Sequence, residues 1–196
     1  MKFVEPIRDM KKIAQIKNML RWSWKIRDLL LFELWINSAL RASDLLSTTI
    51  WDVFDEIWRP RKCFEIKESK TWKKTKVTLT PKVIDTLLLY KETYPNMIEK
   101  AWNALFFHSK KSQKGGEAIW RKQLWKMINK RCLDVWLQEN YWAHTLRKTR
   151  WYHARKKWIP LSIIQHKLNH SSLRITMRYL GITYDEIEEA CNSLDL

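Results

Sequence analysis

Glycine is nearly absent from this chain: 3 of 196 residues, beside 13 tryptophans. Ordinary chains carry about 7% glycine, because tight reversals and helix ends need a residue that tolerates positive φ without a Cβ clash. Whatever this chain folds into must therefore turn almost entirely on residues with side chains. The tryptophans sit where that need is greatest. Trp72 falls between Lys70-Thr71 and Lys73-Lys74, where two short strands have to reverse, and Trp158 follows Arg155-Lys156-Lys157 and precedes Ile159-Pro160, the place of a helix-terminating glycine. Trp22 and Trp24 flank Ser23 in a polar link between helices. Tryptophan and glycine together make about 8% of the chain, close to an ordinary glycine content. An exposed indole gains little at such positions and strains the backbone. The hypothesis that accounts for the pattern is that most of these tryptophans are UGA codons which the source organism decodes as glycine. The alternative is a genuinely tryptophan-rich protein, in which Trp125 and others on helix faces are ordinary core.

The rest of the composition sets the class. A chain of this length, 45% hydrophobic and without an apolar run able to cross a bilayer, is expected to form one soluble domain over residues 1–196. Residues 2–17 interleave charge with Ile and Met and do not read as a signal peptide, so a cytoplasmic, nucleoid-associated location is expected. Cys63, Cys132 and Cys191 are odd in number, far apart and outside any Cys/His cluster, which supports neither a disulfide framework nor a metal site. Lys and Arg number 37 against 21 Asp and Glu, a net charge of +16 with a pI near 9.8. The excess is spread along the chain, as suits a folded protein that wraps a polyanion. Nucleic acid is the favoured partner; charge alone leaves an RNA, a membrane surface or an acidic protein open.

Hydrophobic spacing predicts a first helix over 7–20 (Ile13, Ile16, Leu20), a strongly apolar buried helix over 26–40, and a short helix through Ser43–Leu46. Three short β-rich pieces follow, 50–54, 63–68 and 76–80, read as a three-stranded antiparallel sheet. Helices are expected over 81–90, 117–137, 145–157, 160–168 and 172–180, with a flexible basic loop over 110–116. Thr183 and Glu186 form a capping box for a last helix through Ala190. The fold class is mainly α (α+β): a helical bundle with a small antiparallel sheet.

Residues 143–181 read AHTLRKTRWYHARKKWIPLSIIQHKLNHSSLRITMRYLG. His144 and Arg147 stand three apart at a helix start, His170 opens NHSSLRITMRY 23 residues after Arg147, and Tyr179 comes nine residues after His170. This segment resembles the C-terminal signature of the tyrosine recombinases, the phage-integrase family. Upstream, NSALRASDLL resembles that family's first box, with Arg41 and Asp44, and ESKTWKKTKVTLTP resembles its β-hairpin, with Lys70 in the place of the hairpin lysine. Four separated boxes in the right order cover nearly the whole chain, a far more specific signal than H-x-x-R alone.

The resemblance implies a strand-cleaving enzyme, a site-specific recombinase or integrase of double-stranded DNA that needs no cofactor, ATP or metal. Two guanidiniums can hold the non-bridging phosphate oxygens bidentately and keep their charge throughout, which is the role implied for Arg41 and Arg147. A tyrosine, with an ordinary pKa near 10, must lose a proton to attack, and the departing 5′ oxygen must gain one. By the resemblance Tyr179 is the nucleophile forming a 3′-phosphotyrosine, His144 assists proton transfer, Lys70 protonates the leaving group and His170 bonds the phosphate. Asp44 orients the site.

Taken singly, each residue has a plainer reading. The arginines can be salt-bridging or ordinary phosphate contacts, the histidines structural, Tyr152 and Tyr184 rival nucleophiles, and Lys73 and Lys74 rivals of Lys70. Lys73, Lys74, Lys110, Lys111, Lys114, Arg150 and Arg155 are expected to face DNA. With about 25 residues ahead of the first box's helix, the chain resembles the family's catalytic half without an N-terminal DNA-clamping domain. The implied assembly is a homo-oligomer, a tetramer on DNA, with an accessory DNA-binding protein or partner chain as a further source of affinity. Two other functions remain open: a relaxase of the type IB topoisomerase kind, and a catalytically silent or partner-dependent DNA-binding module with the same fold.

Overall fold

The computed structural model describes residues 4–98, 102–107, 118–138, 141, 144–182, 188 and 192–193. Its centre is α2 (Ile26–Ser38), in which Leu29, Leu30, Leu31 and Phe32 are all fully buried. A helix apolar on every side has to be covered on every side. Here α1 (Met10–Trp22), α5 (Pro81–Thr93) and α8 (Thr145–Lys156) do so. Asp9 starts α1 by accepting the Lys11 N–H at 2.7 Å, and Ile13, Ile16 and Leu20 turn inward as their spacing predicts. Pro81 at the first position starts α5, where a missing N–H costs nothing. One charge lies inside this packing: Glu33 of α2 accepts from Thr86 of α5 at 2.6 Å and lies 3.3 Å from Lys17 of α1, so the buried carboxylate is paired across three helices.

The first of the three expected strands is a helix. Residues 50–53 form α4 (Ile50–Val53), because Thr49 and Asp52 make a capping box in which the Thr49 N–H donates to Asp52 at 2.7 Å. Ile50, Val53 and Phe54 are the buried residues, a spacing of three and four that belongs to a helix and not to an alternating strand. Among the described residues the sheet has two strands, β1 (Cys63–Lys67) and β2 (Lys74–Thr78), antiparallel with Cys63 opposite Thr78 and Lys67 opposite Lys74. The helix expected from residue 117 begins later, as α7 (Arg121–Asp134), after Ala118 bridges to Phe107. Two short helices complete the order: α3 (Ala42–Leu46) and the unforeseen α6 (Pro95–Ile98). Then α9 (Leu161–Leu168) and α10 (Leu173–Leu180) pack on each other and on α8 through a second apolar cluster of Ala39, Trp151, Ala154, Ile164 and Leu168. Apart from Glu188, the last helix expected, Thr183 to Ala190, lies outside the described residues, as does the 110–116 loop.

Seven described residues other than glycine have positive φ, and five of them are tryptophan: Trp24, Trp58, Trp72, Trp136 and Trp158, all between 51° and 61°. Trp72 turns the hairpin, its N–H bonded to the Glu68 carbonyl at 2.9 Å, and Trp158 ends α8. Four of the five stand in solvent, Trp158 with 92% of its surface exposed and Trp136 with 83%.

Candidate active site

Arg41 precedes α3 in extended backbone, reached through a left-handed Ala39 at the end of α2. That abrupt exit delivers Arg41 to the turn end of the hairpin, where Glu68 accepts from its Nη1 at 2.5 Å. Asp44, one turn into α3 and buried, accepts from the N–H and hydroxyl of Ser69 at 2.9 and 2.7 Å and approaches Arg41 Nη1 at 4.0 Å. The first box is thereby fastened to the turn that carries Lys70, which is exposed.

Arg147 and His144 come from the start of α8, His144 as its N-cap. Arg147 is only 5% exposed. Loss of water lowers its pKa, against which the neighbouring Tyr179 and Glu68 favour the charge. His144 keeps an exposed edge, yet desolvation and then the cations Arg147, Arg41, Lys148 and Lys70 hold its pKa below the ordinary imidazole range. This also puts Lys70 and both arginines within electrostatic reach of His144.

His170 follows α9, whose left-handed Asn169 reverses the chain. Its Nδ1 lies 3.1 Å from Thr176 Oγ1, and its ring meets Tyr179 edge-on with centroids 5.3 Å apart. Desolvation, then Arg147 and Arg41, lower its pKa. Tyr179 is on the last turn of α10, with Lys148 Nζ 5.5 Å from its ring centre. Its hydroxyl is buried without a hydrogen bond of ordinary geometry. Burial raises the pKa of Tyr179, offset in part by Arg147 and then Arg41. Arg41, His144, Arg147, His170 and Tyr179 thus share one cationic centre, with Lys70 and Asp44 at its edge.

The other sequence candidates divide. Lys73 on the hairpin turn and Lys74 at the start of β2 are exposed, and Lys73 lines a cleft of about 490 Å³ with Gln165, Asn169 and His170. Arg155 shares a separate cleft with Tyr179, Tyr152 and Lys148. Arg150 lines an apolar groove with Met10 and Ile13 of α1 and Ile36 of α2. Lys110, Lys111, Lys114 and Tyr184 lie outside the described residues. Tyr152 stands under the Arg8 guanidinium, 5.9 Å from its ring centre. The sequence reading missed Glu68, whose carboxylate also accepts from Thr71 at 2.6 Å, Thr75 at 3.2 Å and Asn169 at 3.3 Å. The signal was present: a single acid just before Lys70 in a run of five lysines between 67 and 76. Among the described residues no three His, Cys, Asp or Glu side chains are grouped to hold a metal ion, and no helix is long and apolar enough to cross a membrane.

The description of the phage integrase family matches residues 8–186, from the start of α1 past Tyr179. The chain belongs to the phage integrase family. It is 36% identical over 192 residues to the probable integrase/recombinase YoeC of Bacillus subtilis (strain 168), covering 97% of this chain and 96% of that protein. The fold is similar to that of the XerH site-specific recombinase bound to difH substrate in a pre-cleavage complex, with a TM-score of 0.67 and 22% identity over 97% of this chain. The chain spans 55% of the XerH chain. It is also similar in fold to the catalytic domain of bacteriophage HP1 integrase, with a TM-score of 0.56 and 14% identity, covering 99% of this chain and 97% of that one. The fold is that of a tyrosine recombinase catalytic domain.

Proposed function

We propose that this member of the phage integrase family is a site-specific DNA recombinase that cuts and rejoins strands through a covalent bond between Tyr179 and the 3′ phosphate at the break. The observation that carries the reading is the convergence on Tyr179 of Arg147, Arg41 and His170. Two arginines beside a buried hydroxyl form a pocket for a phosphodiester, and their charge is worth most as negative charge grows on the non-bridging oxygens.

In the proposed reaction the Tyr179 oxygen attacks phosphorus, the P–O5′ bond breaks, and the phosphate passes to the tyrosine. The tyrosine's proton leaves through His144, which is neutral at pH 7 because its pKa is lowered and so is able to accept it. Lys70 gives the departing 5′ oxygen its proton. His170 bonds the phosphate, and Asp44 keeps Arg41 and the Lys70 turn in register. Because the phosphotyrosine keeps the energy of the broken ester, a 5′ hydroxyl from a second duplex reverses the step with no energy source. Exchange between two duplexes needs four such cuts, so a tetramer on paired sites is the proposed assembly. Lys73, Lys74 and Arg155 contact the DNA backbone.

The test is incubation of the chain, and in parallel of the chain with glycine at Trp24, Trp58, Trp72, Trp136 and Trp158, with nicked duplex DNA. A denaturant-resistant adduct is expected that persists in Tyr152→Phe and is lost in Tyr179→Phe. Salt-sensitive binding without an adduct in either preparation would instead mark a DNA-binding module.

A further inference from the structure

Glu68 has no place in the reaction above, yet it is the most heavily bonded side chain at the site. It is 2% exposed and its two oxygens accept from Arg41, Thr71, Thr75 and Asn169. These partners come from every part of the site: Arg41 from the first box, Thr71 from the turn beside Lys70, Thr75 from β2, and Asn169 from the reversal that presents His170. A buried carboxylate with four donors and two neighbouring guanidiniums stays ionised, and its pKa is lowered despite its burial. Its bond takes Nη1 of Arg41, which leaves the Nε–Nη2 edge for a bidentate phosphate.

Resting on the recombinase reading, we propose that Glu68 is a positioning residue that fixes Arg41 for phosphate and locks the Lys70 turn and the His170 turn around it. An arginine side chain has four freely turning bonds, and a misplacement of about 1 Å is enough to cost ~100-fold in rate. Glu68→Gln keeps shape and removes the charge; Glu68→Asp keeps the charge and shortens the arm. The expected result is a fall of ~10–100-fold in the single-turnover rate of adduct formation in Glu68→Gln, with DNA affinity within about threefold and partial recovery in Glu68→Asp. In an Arg41→Ala background, Glu68→Gln should cost several-fold less than it does beside Arg41, because only the Lys70 and His170 turns are left for it to hold. An equal loss in both backgrounds would mean that Glu68 merely supports the fold, and a faster reaction in Glu68→Gln that it competes with the phosphate; either overturns the proposal. A second readout is independent of catalysis. In protein labelled with 15N-arginine, the Arg41 guanidinium, identified by its loss in Arg41→Lys, should give resolved Nη signals that collapse in Glu68→Gln. Unchanged signals would refute positioning. If the parent protein forms no adduct, the recombinase reading fails while this spectrum still decides the role of Glu68.

A different observation carries a second inference. Left-handed backbone strains a residue with a Cβ, and an indole standing in water gives little back, Trp72 through Lys67 Nζ 4.9 Å from its ring centre. Five tryptophans hold this conformation, four of them exposed. We infer that Trp24, Trp58, Trp72, Trp136 and Trp158 occupy glycine positions, encoded by UGA and decoded as glycine in the source cell. The coding DNA tests it: UGA at these five positions is expected, and UGG, or tryptophan found there by mass spectrometry of the native protein, overturns it.

Discussion

The imidazole of His170 meets the ring of Tyr179 edge to face at 72°, while Thr176, three residues before Tyr179 on the same helix, holds Nδ1 of that imidazole. Histidine and tyrosine are thus tied through one turn of α10, and Thr176 is completely buried. Thr176→Val keeps the shape and removes the bond. A lost hydrogen bond of about 1 kcal/mol corresponds to a roughly fivefold slower adduct formation with DNA affinity unchanged. An unaltered rate would show that the Thr176 contact does not set the position of His170.

The depressed pKa values of His144 and His170 make stability depend on pH. In the unfolded chain each takes a proton near pH 6.5, whereas the fold resists it, so the unfolded state binds more protons as pH drops below that value. Stability is fully present above the unfolded value and is lost as pH falls toward the folded one. The melting temperature should therefore decline between pH 7 and pH 5, and the decline should flatten in His144→Gln/His170→Gln. Parallel curves for parent and variant would exclude these histidines as the cause.

Tyr179 shifts the opposite way along the scale. Its phenol should remain protonated beyond the ordinary value near 10, and its contribution to stability should be lost as pH rises past that value. The difference in phenolate absorbance between parent and Tyr179→Phe gives the midpoint directly, and it is expected above pH 10. A midpoint below 10 would mean that the guanidiniums outweigh burial.

If Lys70 supplies the leaving group's proton, its loss should matter only for a leaving group that needs one. Lys70→Ala should slow cleavage of an ordinary strand by ~100-fold or more and leave cleavage of a strand with sulfur in the bridging 5′ position nearly unaffected, since a thiolate departs unprotonated. Lys73→Ala should show neither effect. Rescue appearing in Lys73→Ala instead would transfer the role to Lys73, which lines the His170 cleft.

Trp158→Gly relieves left-handed strain at a residue that packs on nothing. Against the extra freedom glycine gives the unfolded chain, the net gain should be about 0.5–1 kcal/mol, or ~1–4 °C in melting temperature. Trp35→Gly should act in reverse, because that indole is fully buried and donates to the Leu40 carbonyl at 2.8 Å.

Much of this was legible from local pattern. The apolar run of α2 and the inward residues of α1 could be read because a helix repeats its signal over several turns. The site's ordered boxes could be read because their residues and spacing resemble the family's motifs, and the candidates they name sit beside helix starts, helix ends or the hairpin turn. Residues 50–54 misled because five residues are too few to separate a period of two from one of 3.6, and the deciding contact was the Thr49–Asp52 cap. Glu68 was hidden for another reason: Arg41 is 27 positions away and Asn169 is 101 away, and chain-distant bonds leave no periodic trace. Arg150 was chosen by charge alone, and charge gives no hint of the groove that it lines with Met10, Ile13 and Ile36.

The left-handed indoles finally bear on where such a gene can live. With glycine spelled UGA at those turns, a cell that stops at UGA would release a fragment ending before Trp24, short of Arg41 and every other site residue. A cell that inserts tryptophan would make a full-length chain with bulk at each reversal. Only a cell that shares the reassigned codon would produce relaxed turns, so the conformation of a few loop residues would restrict the hosts in which this recombinase gene can be productively expressed.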